Sequence, residues 1–220
     1  LQQSAQGGLE QIDMRSMILS AAAALFALAA GPASAADPIG SVSRIQGTST
    51  AIVDGADAPL DLGASVFLNQ EVSTGEAARL ELTFNDGTQL TLGEKAKMVL
   101  DSFVYSPAEG TGKLSMAVTG AFRFVSGQVT KQRETEVAVT TPVATVGIRG
   151  TEFWGGPIDD QALGVFLIEG AVTVTNVNGE QILDTPGQGT NIATPDAAPG
   201  PVTIWPQDKV DRAIATVTFQ

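Results

Sequence analysis

The sequence predicts an all-β domain with a short C-terminal helix, and three observations carry that expectation. Between Ser41 and about Ile192 the chain is a succession of short β-rich runs broken by Gly, Pro, Asn and Asp. No long stretch in that region keeps a 3.6-residue apolar period. Two segments share a hairpin-like signature, Gly87-Thr88-Gln89-Leu90 and Gly179-Glu180-Gln181-Ile182, each followed by a further glycine, Gly93 or Gly187. Their offset of 92 residues favours a solenoid-like layout of two related halves.

Composition narrows the function classes before any element is placed. The 220 residues include 12 Lys and Arg, 24 Asp and Glu, and no His or Cys. Ser-His-Asp chemistry, cysteine nucleophiles, disulfides and His/Cys zinc sites are therefore excluded. The acidic balance and the lack of a Lys/Arg cluster argue against nucleic acid or anionic lipid as partners.

The elements follow in chain order. Residues 1–13 carry Glu10 and Asp13 ahead of the first Met and read as an upstream extension outside the fold. Residues 14–35 read as a secretory signal peptide. Arg15 supplies the positive n-region, Ile18 to Ala30 the apolar core, and Ala33-Ser34-Ala35 the cleavage site. That apolar run has 13 residues, short of the roughly 20 a membrane helix needs, so no stable membrane insertion is expected after cleavage. The product would be periplasmic or secreted. A mature chain from Ala36 has 185 residues, enough to bury roughly 70% of its unfolded surface in one core.

The domain expected over 36–195 contains two hairpins. In RLELTF-NDG-TQLTL a turn made of Asp86-Gly87 alone would set apolar against polar residues. A three-residue loop, Asn85-Asp86-Gly87 with Gly87 left-handed, pairs Leu82 with Leu90 and Leu80 with Leu92. In AVTVTNV-NG-EQILD, a two-residue type I′ turn at Asn178-Gly179 sets Val174 opposite Leu183. Between them SPAEGTGK, residues 106–113, reads as an exposed loop, after which KLSMAV and AFRFVSGQV resume the strand pattern. Residues 196–220 hold the end of a Pro-rich linker and then WPQDKVDRAIATV. There Pro206 fits a first helical turn and Val210, Ile214 and Val217 share a face that can pack on the sheet.

TPVATVGIRGTEFWGG, residues 141–156, is the most unusual stretch. Pro142 marks a strand start or edge, Gly147 a close approach, and Arg149-Gly150 a bend. Arg149 is the only charged residue between Val137 and Glu152. A guanidinium brought into that setting must be paired, so Arg149 is read as clamping the bend, with Glu152 and Glu169 as candidate partners. The competing reading is an arginine that meets another protein. Beyond the bend, Trp154, Gly155, Gly156, Pro157, Asp159 and Asp160 form a candidate partner-contact tip. Alternation puts Phe153 and Trp154 on opposite faces, so at most one is core if that strand has a wet side.

TPVATVGIRGTEF also resembles the signature of the FecR domain, and its Thr141, Pro142, Gly147, Arg149, Gly150, Thr151 and Phe153 are the structural signature residues. GEAARLELTFNDGTQLTLGEKAKMVLD, LIEGAVTVT and TPGQGTNI match further motifs of that family in the same order, over about residues 40–192. The resemblance implies an extracytoplasmic β-solenoid or sandwich-like domain that receives a signal by contact with another protein. In the best-known members such a domain follows an anti-sigma segment and a membrane helix, and relays the state of an outer-membrane receptor to a sigma factor. Here 17 residues precede the apolar run and 19 lie from Val202 onward, so an exported module without the anti-sigma segment is expected.

Catalytic motifs fare poorly. PAEGTGKL has Pro107 and Leu114 where a phosphate loop needs Gly and Ser/Thr. Asp86-Gly87-Thr88 is explained by hairpin register, and Asp54, Asp57 and Asp61 lack the spacing of a calcium loop. The expectation is a non-enzymatic, protein-binding module with no cofactor and no metal, whose partner is an envelope or outer-membrane protein. The alternative is a glycan-binding, adhesin-like module, which would need a row of exposed aromatic rings.

Overall fold

The computed structural model describes residues 36–53 and 55–220. The upstream extension, the signal peptide and Asp54 lie outside the described residues. Residues Asp37–Gln220 form one compact unit.

Among the described residues, sixteen strands and an α-helix follow in order: β1 (Gly40–Gln46), β2 (Ser49–Val53), β3 (Ala56–Pro59), β4 (Ser65–Val66), β5 (Glu71–Thr74), β6 (Arg79–Phe84), β7 (Gln89–Leu92), β8 (Lys97–Ser106), β9 (Thr111–Thr119), β10 (Phe122–Val125), β11 (Glu134–Thr140), β12 (Thr145–Ile158), β13 (Gln161–Asn176), β14 (Gly179–Leu183), β15 (Gln188–Ile192), β16 (Thr203–Ile204) and α1 (Gln207–Ala215). All sixteen strands join one sheet. Among the described residues its only parallel pair is β9 with β11. The all-β class and the short C-terminal helix expected from sequence are both present.

Alternation of period two decides which face is buried. In β9, Leu114, Met116 and Val118 point inward and Lys113, Ser115 and Ala117 outward. Inward residues from β1 to β15 merge into one apolar cluster, from Val42 and Ala51 to Val174, Leu183 and Ile192. A single sheet whose strands all feed one interior must curl on itself. Gain of burial follows from the curl, while β3 and β4 remain the two ends of the strand order.

The first hairpin has the expected register, Leu80 opposite Leu92 and Leu82 opposite Leu90. Gly87 is left-handed at φ 84°. Asp86, 4% exposed, stitches this loop to the 3-10 turn Gln128–Lys131. Its Oδ1 accepts from Thr88 N, and its Oδ2 accepts from Thr88 Oγ1 at 2.7 Å and Val129 N at 2.9 Å.

The second hairpin differs from expectation. Asn176 pairs with Gly179 and Val172 with Leu183, so Val177-Asn178 is the turn and the register is two residues away from the expected one. Asn178 N donates to Asn176 Oδ1, an Asx turn, while Asn176 Nδ2 and Asn178 Nδ2 donate to the carbonyls of Ala197 and Asp196. Fastening the 193–201 segment therefore fixes the register. A shift of two leaves every side chain on its original face, so alternation cannot distinguish the two pairings.

Two further boundaries move. The expected loop at 106–113 contracts to a tight turn at 107–110 between β8 and β9. Pro206 is the N-cap residue of α1, with ψ at 149° outside the helical region, and its carbonyl accepts from Lys209 N and Val210 N.

Candidate functional site

The stretch 141–156 folds as a turn, a bulge and a covered strand. Thr141-Pro142 belongs to the hairpin turn joining β11 to β12, and strand pairing starts at Thr145, later than Pro142 led one to expect. Thr141 N donates to Ala144 O at 2.8 Å, and Thr141 Oγ1 accepts from Ala144 N. A Pro with fixed φ at the second position of such a turn, behind a hydroxyl that closes it, is why this dipeptide suits the site.

β12 then pairs with β13, but not uniformly. Arg149 lies opposite Ala171 and Glu152 opposite Glu169, leaving Gly150 and Thr151 to face Gly170 alone. This is a β-bulge, and both glycines are left-handed, at φ 59° and 81°. A Cβ on Gly170 would overlap the Gly150 carbonyl oxygen and lie 2.9 Å from Thr151 Cα, so the close approach requires glycine there.

The bulge is where the strand changes neighbours. Before it, β12 pairs with β11 through Thr145–Gly147; after it, with β10 through Glu152–Gly155. β13 changes likewise, from β15 to β14. The sheet turns its corner here.

Thr151, 3% exposed, closes that corner. Its Oγ1 donates to Ala171 O at 2.7 Å and accepts from Ala171 N at 3.3 Å; its N donates to Ser126 Oγ at 2.7 Å, and its carbonyl accepts from Ser126 N.

The clamp expected of Arg149 is thus supplied by Thr151 and Ser126. Arg149 is exposed and makes no side-chain hydrogen bond or ion pair among the described residues. Glu152, a candidate partner by sequence, is held by Arg123, whose Nε donates to Glu152 Oε1 at 2.9 Å. Glu169 is exposed on the far strand. A bulge satisfied by a hydroxyl needs no guanidinium, which frees Arg149 to face solvent.

The expected contact tip divides. Trp154 is fully buried, and Gly155 and Gly156 are buried with it; Pro157, Asp159 and Asp160 are exposed. Phe153 is equally buried, on the inner face, between Phe122 and Phe124. Both aromatic neighbours are core because β12 has no wet face here: α1 covers the outer side.

Trp154 Nε1 donates to Thr216 Oγ1 at 3.0 Å, and Trp154, Phe166, Trp205, Ala121, Ala213 and Val217 form a second apolar cluster. Trp205 stacks on Phe166 at 5.4 Å. The helix is also tied by Arg212 and Lys209 to Asp159, so that carboxylate is engaged within the chain.

The same outer face carries a register row across β1, β6, β7, β10, β12 and β13: Arg44, Glu81, Thr91, Arg123, Trp154 and Phe166. α1 covers the apolar end of the row. Between that helix, the chain's last residues and the polar end lies a groove of about 440 Å³. Sequence reasoning missed it, although the alternation of Arg44, Glu81, Thr91 and Arg123 with buried neighbours was the available signal.

Among the described residues no cluster of three or more acidic side chains is placed to hold a metal. Every described aromatic side chain is buried or half-buried, so the row of exposed rings required by a glycan-binding surface is not among them.

Residues 70–173 match the family described as FecR protein. Over that span the chain is similar to the FecR family. The match runs from the start of β5 through the bulged corner into the middle of β13, a narrower span than the motifs suggested. The fold is also similar to two crystal structures of a candidate anti-sigma factor from Parabacteroides distasonis ATCC 8503, at 2.50 and 1.65 Å resolution. Each has 18% sequence identity, a TM-score of 0.53 and coverage of 66% of this chain. The alignments span 63% and 64% of those chains, less than two thirds of their length. No curated protein matches.

Proposed function

We propose that this FecR-like domain is an exported protein-recognition module of the bacterial envelope, which takes part in signal sensing or transduction by contact and performs no chemistry itself. The match to the FecR family over residues 70–173 supports a role related to signal transduction. The observation that carries the recognition reading is Arg149: a solvent-facing guanidinium without a partner in its own chain, mounted on a corner fixed by Thr151, Ser126 and Gly170. A donor fork held on a rigid element loses little freedom on binding, which favours pairing with a partner's carboxylate. Arginine is also the charged residue most enriched at interface centres.

Export is tested by fractionating cells that express the full chain with a C-terminal epitope. Recovery in the periplasm or medium, shortened by the signal segment, is expected; a full-length cytoplasmic product refutes it. Recognition is tested by Arg149→Ala. Surface substitutions away from caps and cores change stability by about 0.5 kcal/mol or less, so melting should be unchanged. A photo-crosslinker at Glu169, exposed beside the bulge, should capture one envelope protein, and adding Arg149→Ala should weaken that crosslink. A drop of several degrees in melting, or crosslinks that are diffuse and indifferent to the substitution, refutes the reading.

A further inference from the structure

The groove on the outer face has an apolar wall and a charged floor, and the charges on that floor are unequally spent. Arg123 is committed to Glu152. Glu81 Oε1 accepts from Ser43 Oγ at 2.9 Å, and its other oxygen lies 3.5 Å from Thr91 Oγ1. Arg44 has no ion pair among the described residues; its guanidinium carbon lies over Phe219, 4.0 Å from the ring centroid.

One register step along β6, opposite Gln46, Arg79 is 8% exposed, donates to the Ala78 carbonyl at 2.7 Å, and leaves its Nε unpartnered. The charges that line the groove balance, Arg44 and Arg123 against Glu81 and Glu152, and Arg79 just outside it makes the Arg44 end the positive one. Its wall is built from Phe166, Ile168, Val210, Ile214 and Val217. Glu152 Oε2 receives no hydrogen bond among the described residues and remains an acceptor on the floor.

We propose that this groove binds the C-terminus of a polypeptide that ends in an apolar residue. The terminal carboxylate pairs with Arg44 in the field of Arg79, the last side chain packs on the Phe166–Ile214 wall, and a ligand amide N–H donates to Glu152. A fatty acid would use the cation and the wall but has no N–H for the acceptor, and this favours a peptide. The volume is that of a small-ligand site and admits a terminus of one or two residues.

Phe219 lies beneath Arg44, and Gln220 N donates to Gln46 Oε1 at 2.8 Å. Glu152 borders the bulge and lines the groove, but Arg149, Ser126, Gly150, Thr151 and Gly170 do not, so Arg149 can be replaced without altering the groove.

The test is fluorescence anisotropy on the full chain with a fluorescein-labelled hexapeptide, Gly-Ser-Gly-Ser-Val-Phe, as free acid and as C-terminal carboxamide. Saturable binding of the acid is expected, at least about tenfold tighter than the amide, the scale of one charge-assisted hydrogen bond. Arg44→Gln should reduce the acid to the amide's affinity with unchanged melting, since Arg44 is exposed. Arg149→Ala should bind the peptide as the parent chain does. Equal affinity for acid and amide, no saturation, or parent-like binding by Arg44→Gln overturns the proposal while leaving the corner reading intact. Displacement of the probe by dodecanoate at lower concentration than by unlabelled peptide overturns it in favour of a lipid carboxylate.

Discussion

Gly170→Ala should be the most damaging single-methyl substitution at the corner, and its cost can be worked from the geometry. Position 170 has φ 81°, where an L side chain costs about 1 kcal/mol or slightly more. The added Cβ would overlap the Gly150 carbonyl oxygen and sit 2.9 Å from Thr151 Cα. Both obstacles are backbone, so relief requires opening the bulge.

Opening it breaks the reciprocal bonds between Thr151 Oγ1 and the Ala171 carbonyl and amide, about 1 kcal/mol each. The total is about 3–4 kcal/mol, or roughly 10 °C of melting temperature for a unit of this size. Gly150→Ala is the matched control. It has φ 59° with nothing within 4 Å of its added Cβ, so it should pay the conformational cost alone, about 1 kcal/mol and roughly 3 °C. Differential scanning calorimetry of both variants separates the steric from the conformational part. Melting of Gly170→Ala within a degree or two of Gly150→Ala would refute the claim that backbone proximity, rather than φ alone, fixes the corner.

Other expectations are more local. Asp86→Ala removes a buried carboxylate that accepts from Thr88 and Val129, so a loss of about 3 kcal/mol is expected in urea unfolding; a loss under about 1 kcal/mol would show that the loop holds without it. Trp154→Phe keeps a ring in the cluster beneath α1 but removes the bond that Thr216 Oγ1 accepts, leaving the one it donates to Ala213 O, which should cost about 1 kcal/mol and alter the near-UV circular dichroism assigned to Trp205; an unchanged spectrum would place Trp205 elsewhere. The Arg212 hydrogen bond holds the Asp208 carboxyl below its ordinary value of 3.8. A depressed folded value means that its contribution is present above pH 3.8 and is lost as pH falls through the lower folded value. In an NMR titration, Arg212→Gln should return the Asp208 midpoint toward 3.8, and an unmoved midpoint would remove Arg212 as the cause.

What the sequence determined by itself was whatever depends on neighbours in the chain. Leu80, Leu82, Leu90 and Leu92 share a face because alternation is local, and Gly87 marks its loop because only glycine accepts the required φ cheaply; the NDG hairpin was therefore legible to the register. The family signature was legible for a related reason: Thr141-Pro142, Gly150-Thr151 and Glu169-Gly170 encode a turn and a bulge whose chemistry is confined to a few residues. The Asn178 hairpin was not. Two registers differing by two residues bury the same faces, and the choice fell to Asn side chains that tie down a segment some twenty residues later.

Tertiary structure alone decided the fates of Arg149 and Trp154. Glu152 was taken by Arg123, 29 residues upstream, and Thr151 closed the corner, so the lone cation was left facing solvent. Trp154 was covered by a helix whose Thr216 lies 62 residues downstream. Alternation assigns a side chain to a face, but whether that face meets water depends on which distant element reaches it first.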